Sequence, residues 1–353
     1  MSNQNMARRA SFEVSFAGVN ITKSILPYFL SMTYTDNEED ATDDLQIKLQ
    51  DRDGIWTEKW LNDAVDAAAA EGLKISAVLA RLNWNTNGKD DLLDCGTFEL
   101  DDIRSQGPPA TVTIKATSLP FSAQIRQTKK TKAWESYTLS GIANEMAGAN
   151  GMKCMFLCAA DPFYARVEQF GMSDIDFLKT LCHDAGASLK VTNNIIVIFD
   201  QADYESKAGV FTFKKGAGSY EKYDMRVGTA DSQYTSCRVS YVSPTNGKAI
   251  EGVATVEDYK ANGKNNQQLE ITAKVTNAAE AKALAAKHLR LHNKYEKTAT
   301  FTVPGNPLLV AGVTFNVEGF GGWNGKYIVK QAVHTISNGY STKIVGRRVL
   351  EGY

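Results

Sequence analysis

Proline is scarce in this chain, with eight in 353 residues, and histidine is scarcer, with four. Few prolines beside 27 glycines argue for turns and strand corners and against disordered linkers. Four histidines, none near a glycine elbow, leave little for acid–base work, and no GxSxG occurs. Cysteine is confined to Cys95, Cys154, Cys158, Cys182 and Cys237. The number is odd and no CxxC pair exists, so reduced, half-buried thiols of a cytosolic fold are expected. Cys154 and Cys158 are the only close pair and lack the further ligands that zinc needs. No unbroken apolar run nears the roughly 20 residues of a membrane helix, so no membrane insertion by the chain itself is expected. The opening MSNQNMARRASFEVSF carries Arg8, Arg9 and Glu13 without an apolar segment, so no signal peptide is read. Excess charge of one sign is missing too. A formal net charge of −1 gives no global field toward nucleic acid or anionic membrane.

What is present describes a folded chain. Apolar residues make up 43% and charged residues 22%, and the length suffices for two or three cores. Phe12, Val14 and Phe16 alternate as in a half-buried strand, and Leu45, Ile47 and Leu49 do so again. Ala64 to Ala70 reads as a short helix ending at Gly72. Strands follow at 74–82, 96–103 and 110–116. From about Trp134 the period changes. Leu139, Ile142, Ala143, Met146 and Ala147 fall at helical spacing before the Asn150-Gly151 stop. Ser173 is placed to cap a second helix with Asp176 as its acidic partner. Ile175, Leu178, Cys182 and Ala185 form the inner face of that helix, Gly186 ends it, and Asn193-Asn194 suits a type I′ turn between two strands. Beyond 205 the β pattern returns at 212–214, 237–242 and 268–275. An alanine-rich helix from Asn277 to about His292, capped by Thr276, comes next. Strands at 298–303, 313–317, 327–336 and 342–349 close the chain, with Asn338-Gly339 as a hairpin signal. The stretch from Pro244 to Gln268 reads as a long polar loop that orders only against a partner. The two β regions share an order of parts: an alanine-rich helix, a strand, Gly plus aromatic (Gly96, Phe98; Gly325, Tyr327), then a returning strand. This suggests a duplication.

Each candidate for chemistry falls short. Cys182 and His183 are sequence neighbours on a helix and point about 100° apart, so they form no nucleophile–base pair. His288 and His292 share a helix face at i, i+4 and could hold a metal, but Leu289 stands where a metalloprotease needs Glu, and no third ligand suggests itself. Asp36 to Asp44, DNEEDATDD, fails as a calcium loop because Ala41 and Ile47 occupy key places, and a solvated loop is expected. GFGGWNGKY lacks the phosphate-loop spacing, and a turn at Asn324-Gly325 explains it. Gly216-Ala217-Gly218 is followed by Glu221, where a dinucleotide loop wants Gly. Arg126 to Lys132, RQTKKTK, reads as a solvated connector, and no specific nucleic-acid binding is expected. No residue is assigned a catalytic, cofactor or metal role, and the chain is read as no enzyme.

Five stretches resemble one family. DLQIKLQDRDGIWTEKW (44–60), CGTFELDDIRSQGPPATVTIKA (95–116), KAWESYTLSGIANEMAGANGM (132–152), EQFGMSDIDFLKTLCHDAGASLKV (168–191) and GKYIVKQAVHTISNGYSTKI (325–344) are similar to the late control protein D family. These are baseplate hub proteins of contractile phage tails and tail-like bacteriocins. The resemblance runs nearly the whole chain in order. The alanine-rich LNDAVDAAAAEGL (61–73) departs from it, where a shorter polar connector is expected. The resemblance implies an α+β, mainly β chain: two tube-like β-barrel domains (1–125 and 206–353, the second with one helix) flanking a small α/β domain (126–205). It further implies a trimeric symmetry adapter joining a hexameric tail tube to a trimeric spike. The implied partners are two further copies, the spike protein and the tail tube or tube-initiator protein. Tape measure and baseplate wedge proteins are further candidate neighbours. The implied place is the baseplate of a virion or tail-like particle, assembled in the host cytoplasm. The alternative is a tail-associated cell-wall hydrolase or wall-binding module, which would need a carboxylate pair or a metal site.

Overall fold

The computed structural model describes residues 7–39, 42–60, 73–86, 88–118, 125–228, 234–242, 247–256 and 267–350. The chain is mainly β. The first part holds β1 (Arg9–Phe16), β2 (Val19–Asn20), a single turn α1 (Thr22–Ile25), β3 (Phe29–Asn37), β4 (Asp44–Gln50), β5 (Lys74–Leu82), β6 (Asp90–Gln106) and β7 (Thr111–Thr117). The middle holds β8 (Lys130–Thr138), α2 (Leu139–Ala149), β9 (Lys153–Leu157), β10 (Phe163–Met172), α3 (Asp174–Asp184), β11 (Ser188–Thr192), β12 (Ile195–Phe199) and α4 (Gln201–Ser206). The last part holds β13 (Phe211–Lys214), β14 (Lys222–Val227), β15 (Ser236–Val242), β16 (Ala249–Thr255), β17 (Gln268–Thr272), α5 (Ala278–Asn293), β18 (Lys297–Pro304), β19 (Thr314–Glu318), β20 (Gly325–Ile336) and β21 (Tyr340–Arg348).

The strands of the two outer parts repeat one arrangement. In the first, the order across the sheet is β3-β4-β7-β6-β5-β1; in the second it is β14-β18-β21-β20-β19-β13. Taken along the chain, the strands correspond one to one, and all pairs but the last match in direction. β1 runs antiparallel to β5, whereas β13 runs parallel to β19. Each unit curls so that strands distant in this order meet through stacked rings: Phe12 on Phe29 at 4.3 Å, and Phe213 on Phe301 at 4.0 Å. Offset stacking of this kind adds about 0.5–1.5 kcal/mol to simple area burial. No ladder closes either unit among the described residues. Instead β3 pairs with β20, Met32–Asn37 against Gln331–Ile336, so both units form one continuous sheet.

Gly96 and Phe98 lie on β6, and Gly325 and Tyr327 on its counterpart β20, as the shared order of parts suggested. The alanine-rich segments do not correspond. Helix α5 precedes β18, which matches β4, whereas the 61–72 stretch precedes β5 and lies outside the described residues.

Among the described residues there are four apolar clusters: one in each curled unit, one in the middle part, and one between α5 and the sheet β16-β15-β17. Ile125 already belongs to the middle cluster. Ser173 caps α3 as read from sequence, accepting from Asp176 N. Asn193 and Asn194 both take left-handed φ, 48° and 61°, at the β11–β12 turn. Three expectations need correction. Asn277, not Thr276, caps α5; Thr276 instead donates to Glu280. RQTKKTK is no mere connector, because Lys130–Lys132 open β8; Lys130 pairs with Asp174 at 2.6 Å and Lys132 with Glu145. The expected polar loop from Pro244 to Gln268 contains strand β16, paired along its length with β15. Its remainder, 243–246 and 257–266, lies outside the described residues.

Candidate functional site

The acidic segment at the end of β3 and beyond it is where the three parts of the chain converge. A solvated loop was expected. Instead Asp36, Asn37, Glu38, Glu39 and Asp43 are buried. Each buried carboxylate meets a cation from another part of the chain. Glu38 receives Arg347 of β21 through two parallel bonds, Nη2 at 2.7 Å and Nε at 3.1 Å. The same guanidinium reaches Glu205 of α4, whose second oxygen takes Arg290 of α5. Glu39 is bound by Lys294 and accepts from Tyr295 and from Ser188 of β11. Asp36 accepts from Lys190 of β11 at 2.6 Å and from the backbone N–H of Ala311 at 2.8 Å. Asp43 lies 3.5 Å from the same Lys190 and accepts from Asn37 N.

Among the described residues, five carboxylates (Asp36, Glu38, Glu39, Asp43, Glu205) thus face four cations (Lys190, Arg290, Lys294, Arg347). Burial raises the carboxyl of Glu38 against the pull of Arg347, and that of Asp43 as well. Burial, with Asp36 close by, pushes the Asp43 carboxyl up to about 7 against the pull of Lys190. Burial would neutralise Glu39, but Lys294 and the hydrogen bonds from Lys294 and Ser188 hold its carboxyl below the usual range. Burial likewise works against charge on Lys190 and Arg347, yet Asp36 and Asp43 raise the first, and Glu38 and Glu205 raise the second. Buried pairs of this type add little net stability, but losing one partner costs about 3–5 kcal/mol, so they fix geometry.

Further contacts seat the middle part. Asn193, at the β11–β12 turn, accepts from Thr97 N at 3.0 Å and sits against Gly96, where a Cβ would come within 2.2 Å of its Oδ1. Gly96 has φ +89°, so both its conformation and the approach require glycine. Ser118 donates to Val191 O at 3.0 Å. On the other side Gly186 lies against Lys287 of α5, and Lys287 pairs with Asp200 at 2.9 Å.

Among the residues weighed for chemistry, Cys182 is buried on the apolar face of α3 and His183 is exposed, as their spacing predicted. All five cysteines are thiols, none joined in a disulfide. Burial pushes the Cys158 thiol up to about 12 and the Cys237 thiol up to about 11, and raises Cys95 and Cys154 as well. A third imidazole does approach the i, i+4 pair: the His183 ring lies 5.8 Å from His288 and 6.4 Å from His292, centroid to centroid. The fourth histidine, His334, is buried between Leu309 O and Tyr340 OH, and burial lowers it to about 4. Within GFGGWNGKY, Gly321–Trp323 form a single 3-10 turn, and Phe320 N donates to Asn324 Oδ1 at 2.7 Å.

The cations of the junction were not read from the sequence. One signal was there: Lys287, Arg290 and, at the C-cap, Lys294 fall at spacings of three and four, a basic stripe on the side away from the buried Ala281 and Ala285.

No protein-family model matches the chain. Two curated relatives do. The chain is 26% identical over 182 residues to a probable baseplate hub protein of Escherichia phage 186, covering 51% of this chain and 42% of that one. It is 29% identical over 176 residues to a probable baseplate hub protein of Escherichia phage P2, covering 49% and 40%. The matched part is therefore less than half the length of either relative. Among solved structures, the fold is similar to a tail protein from Neisseria meningitidis MC58 (TM-score 0.69, 11% identity, 96% of this chain and 97% of that one). It is also similar to a 43 kDa tail protein of prophage MuSo2 from Shewanella oneidensis (TM-score 0.63, 14% identity, 97% of each). A third is the E. coli c3393 protein, a component of the type VI secretion system (TM-score 0.57, 10% identity, 96% and 78%). The resemblance read from the sequence is borne out: over about half its length the chain is similar to probable baseplate hub proteins of phages, and its fold is similar to that of phage tail proteins.

Proposed function

We propose that the chain is a structural baseplate hub at the tip of a contractile tail. In this reading three copies join the hexameric tail tube to the trimeric spike, within a virion or tail-like particle assembled in the host cytoplasm. The divisions 1–125, 126–205 and 206–353 are its tube-like, bracing and second tube-like domains. The observation that carries the reading is the repeat. Two units of one strand order are joined by the pairing of β3 with the later half of β20. Three such chains offer six like units, the number needed to face a hexameric tube. The buried charges hold the bracing domain and both units in one fixed relation, as a rigid adapter needs. The chain has no enzymatic role in this reading. The cell-wall hydrolase or wall-binding alternative is less supported, because the junction's carboxylates are engaged by cations.

Particle imaging of assembled tails tests the proposal. Three copies at the tube–spike junction are expected. Two copies, or six, would remove the adapter role.

A further inference from the structure

Three of the four histidines meet between α3 and α5. His288 and His292 lie one turn apart on α5, and the His183 ring of α3 stands 5.8 Å from the first and 6.4 Å from the second. His288 is buried, at 2% exposure, and its Nε2 lies 3.2 Å from the carbonyl oxygen of Asp184. A carbonyl only accepts, so Nε2 carries the proton and Nδ1 the lone pair. That Nδ1 is buried without a hydrogen-bond partner. A second proton arriving there finds no acceptor, and its charge enters a buried contact beside two further imidazoles.

We propose that this cluster is an acid-released catch: with neutral rings α5 packs on α3, and as the rings take up protons the two helices part. The surrounding cations favour release. Lys179 of α3 and Lys294 at the end of α5 border one cavity with His183 and His292, so each imidazolium joins two lysines. Of the carboxylates nearby, Asp184 lies 3.8 Å from His183, and Glu39 is held by Lys294. Asp200 and Glu205 pair with Lys287 and Arg290 of α5, and these two ion pairs resist release. On the sheet that α5 carries, Arg238 is taken by Glu251 and Glu270, while Tyr234 meets His292 edge to face. Burial first, then the neighbouring rings, lowers His288 and His292 from the ordinary 6.5, and Lys294 adds to the second. Above 6.5 the rings are neutral whether the contact is closed or open, and the catch is whole. As pH falls through 6.5 the open form takes up protons first, so the closed contact weakens. The catch does not depend on the hub reading.

Hydrogen–deuterium exchange of the full chain at about pH 8 and about pH 5.5, corrected for the intrinsic pH dependence of exchange, tests it. Strand β5, in the first part, is the reference. One unit below 6.5, each ring kept neutral in the closed contact favours opening by up to about tenfold. Protection of α5 should therefore fall by about tenfold or more relative to β5 on acidification. His288→Gln should remove most of that fall, since the amide can still donate to the Asp184 carbonyl but takes no proton. His292→Gln, at a half-buried site, should lessen it, and carries the test should His288→Gln not fold. His334 stays in place in both variants, so what they remove belongs to the cluster. Equal loss of protection in α5 and β5 of the parent, or the parent's full loss retained in His292→Gln, overturns the proposal.

Discussion

At the scale of single residues, the junction makes two predictions. Asp43 has a carboxyl raised to about 7 in the folded chain, from an ordinary 3.8. Below about pH 4 both folded and unfolded states hold the proton, and Asp43 changes nothing. Between about pH 4 and 7 the unfolded chain releases it while the folded chain keeps it, so stability falls as pH rises. A rise of this size is worth at most about 4 kcal/mol. Asp43→Asn should therefore stabilise the chain near pH 8 and leave it unchanged near pH 4, read from urea midpoints. Equal effects at both would refute this account. Arg347 gives the second test. It is fully buried between Glu38 and Glu205. Arg347→Met should cost about 3–5 kcal/mol by leaving Glu38 buried without its fork. Adding Glu38→Leu should recover part of that loss in a double-mutant cycle. A strictly additive result would mean the two do not act as a pair.

At the scale of elements, what was legible was whatever alternated. β1 and β4 bury Phe12, Val14, Phe16, Leu45, Ile47 and Leu49, and β5 begins and ends where its pattern does. β16 was missed for a physical reason. Its buried face is Gly252 and Ala254, residues too small to give an apolar period. They are small because α5 packs so near: a Cβ on Gly252 would lie 2.2 Å from the backbone N of Lys282. Ala281 and Ala285 complete that contact. Gly252→Ala should cost about 1–3 kcal/mol or more, since backbone cannot yield as a side-chain tip does. Gly148→Ala is the contrast. It lies within α2, where a Cβ meets nothing within 4 Å, so it should stabilise by about 0.5–1 kcal/mol. Chemical denaturation reads both, and a common sign would sink the packing argument. The charged junction was illegible for another reason. Carboxylates in sequence read as solvated, and their partners lie far along the chain, at Lys190, Lys294 and Arg347.

At the scale of the whole molecule, the pairing of β3 with β20 has an unfilled counterpart. β14 corresponds to β3 and ends the sheet order. β6 corresponds to β20. Its first half pairs with β5 as far as Glu99, while its later half pairs with β7 alone among the described residues. A strand edge left open this way invites another strand. If β14 of one copy fills β6 of the next, the contact inside each chain repeats between chains and closes a ring. The register follows from the correspondence. Asp36 faces Ala332 across β3 and β20. Carried through the matching ladders, the equivalent partners are Val227 on β14 and Ile103 on β6 of the next copy. Val227 is exposed and Ile103 partly so. Ile103→Cys with Val227→Cys should give covalent trimers on oxidation, seen on a non-reducing gel, while either change alone should not. Tyr223→Lys with Val227→Lys should leave a folded chain that no longer joins tails, because lysine blunts an edge strand. Tails that still assemble with both lysines, or cysteines that never cross-link in assembled tails, would show that the copies meet by some other surface.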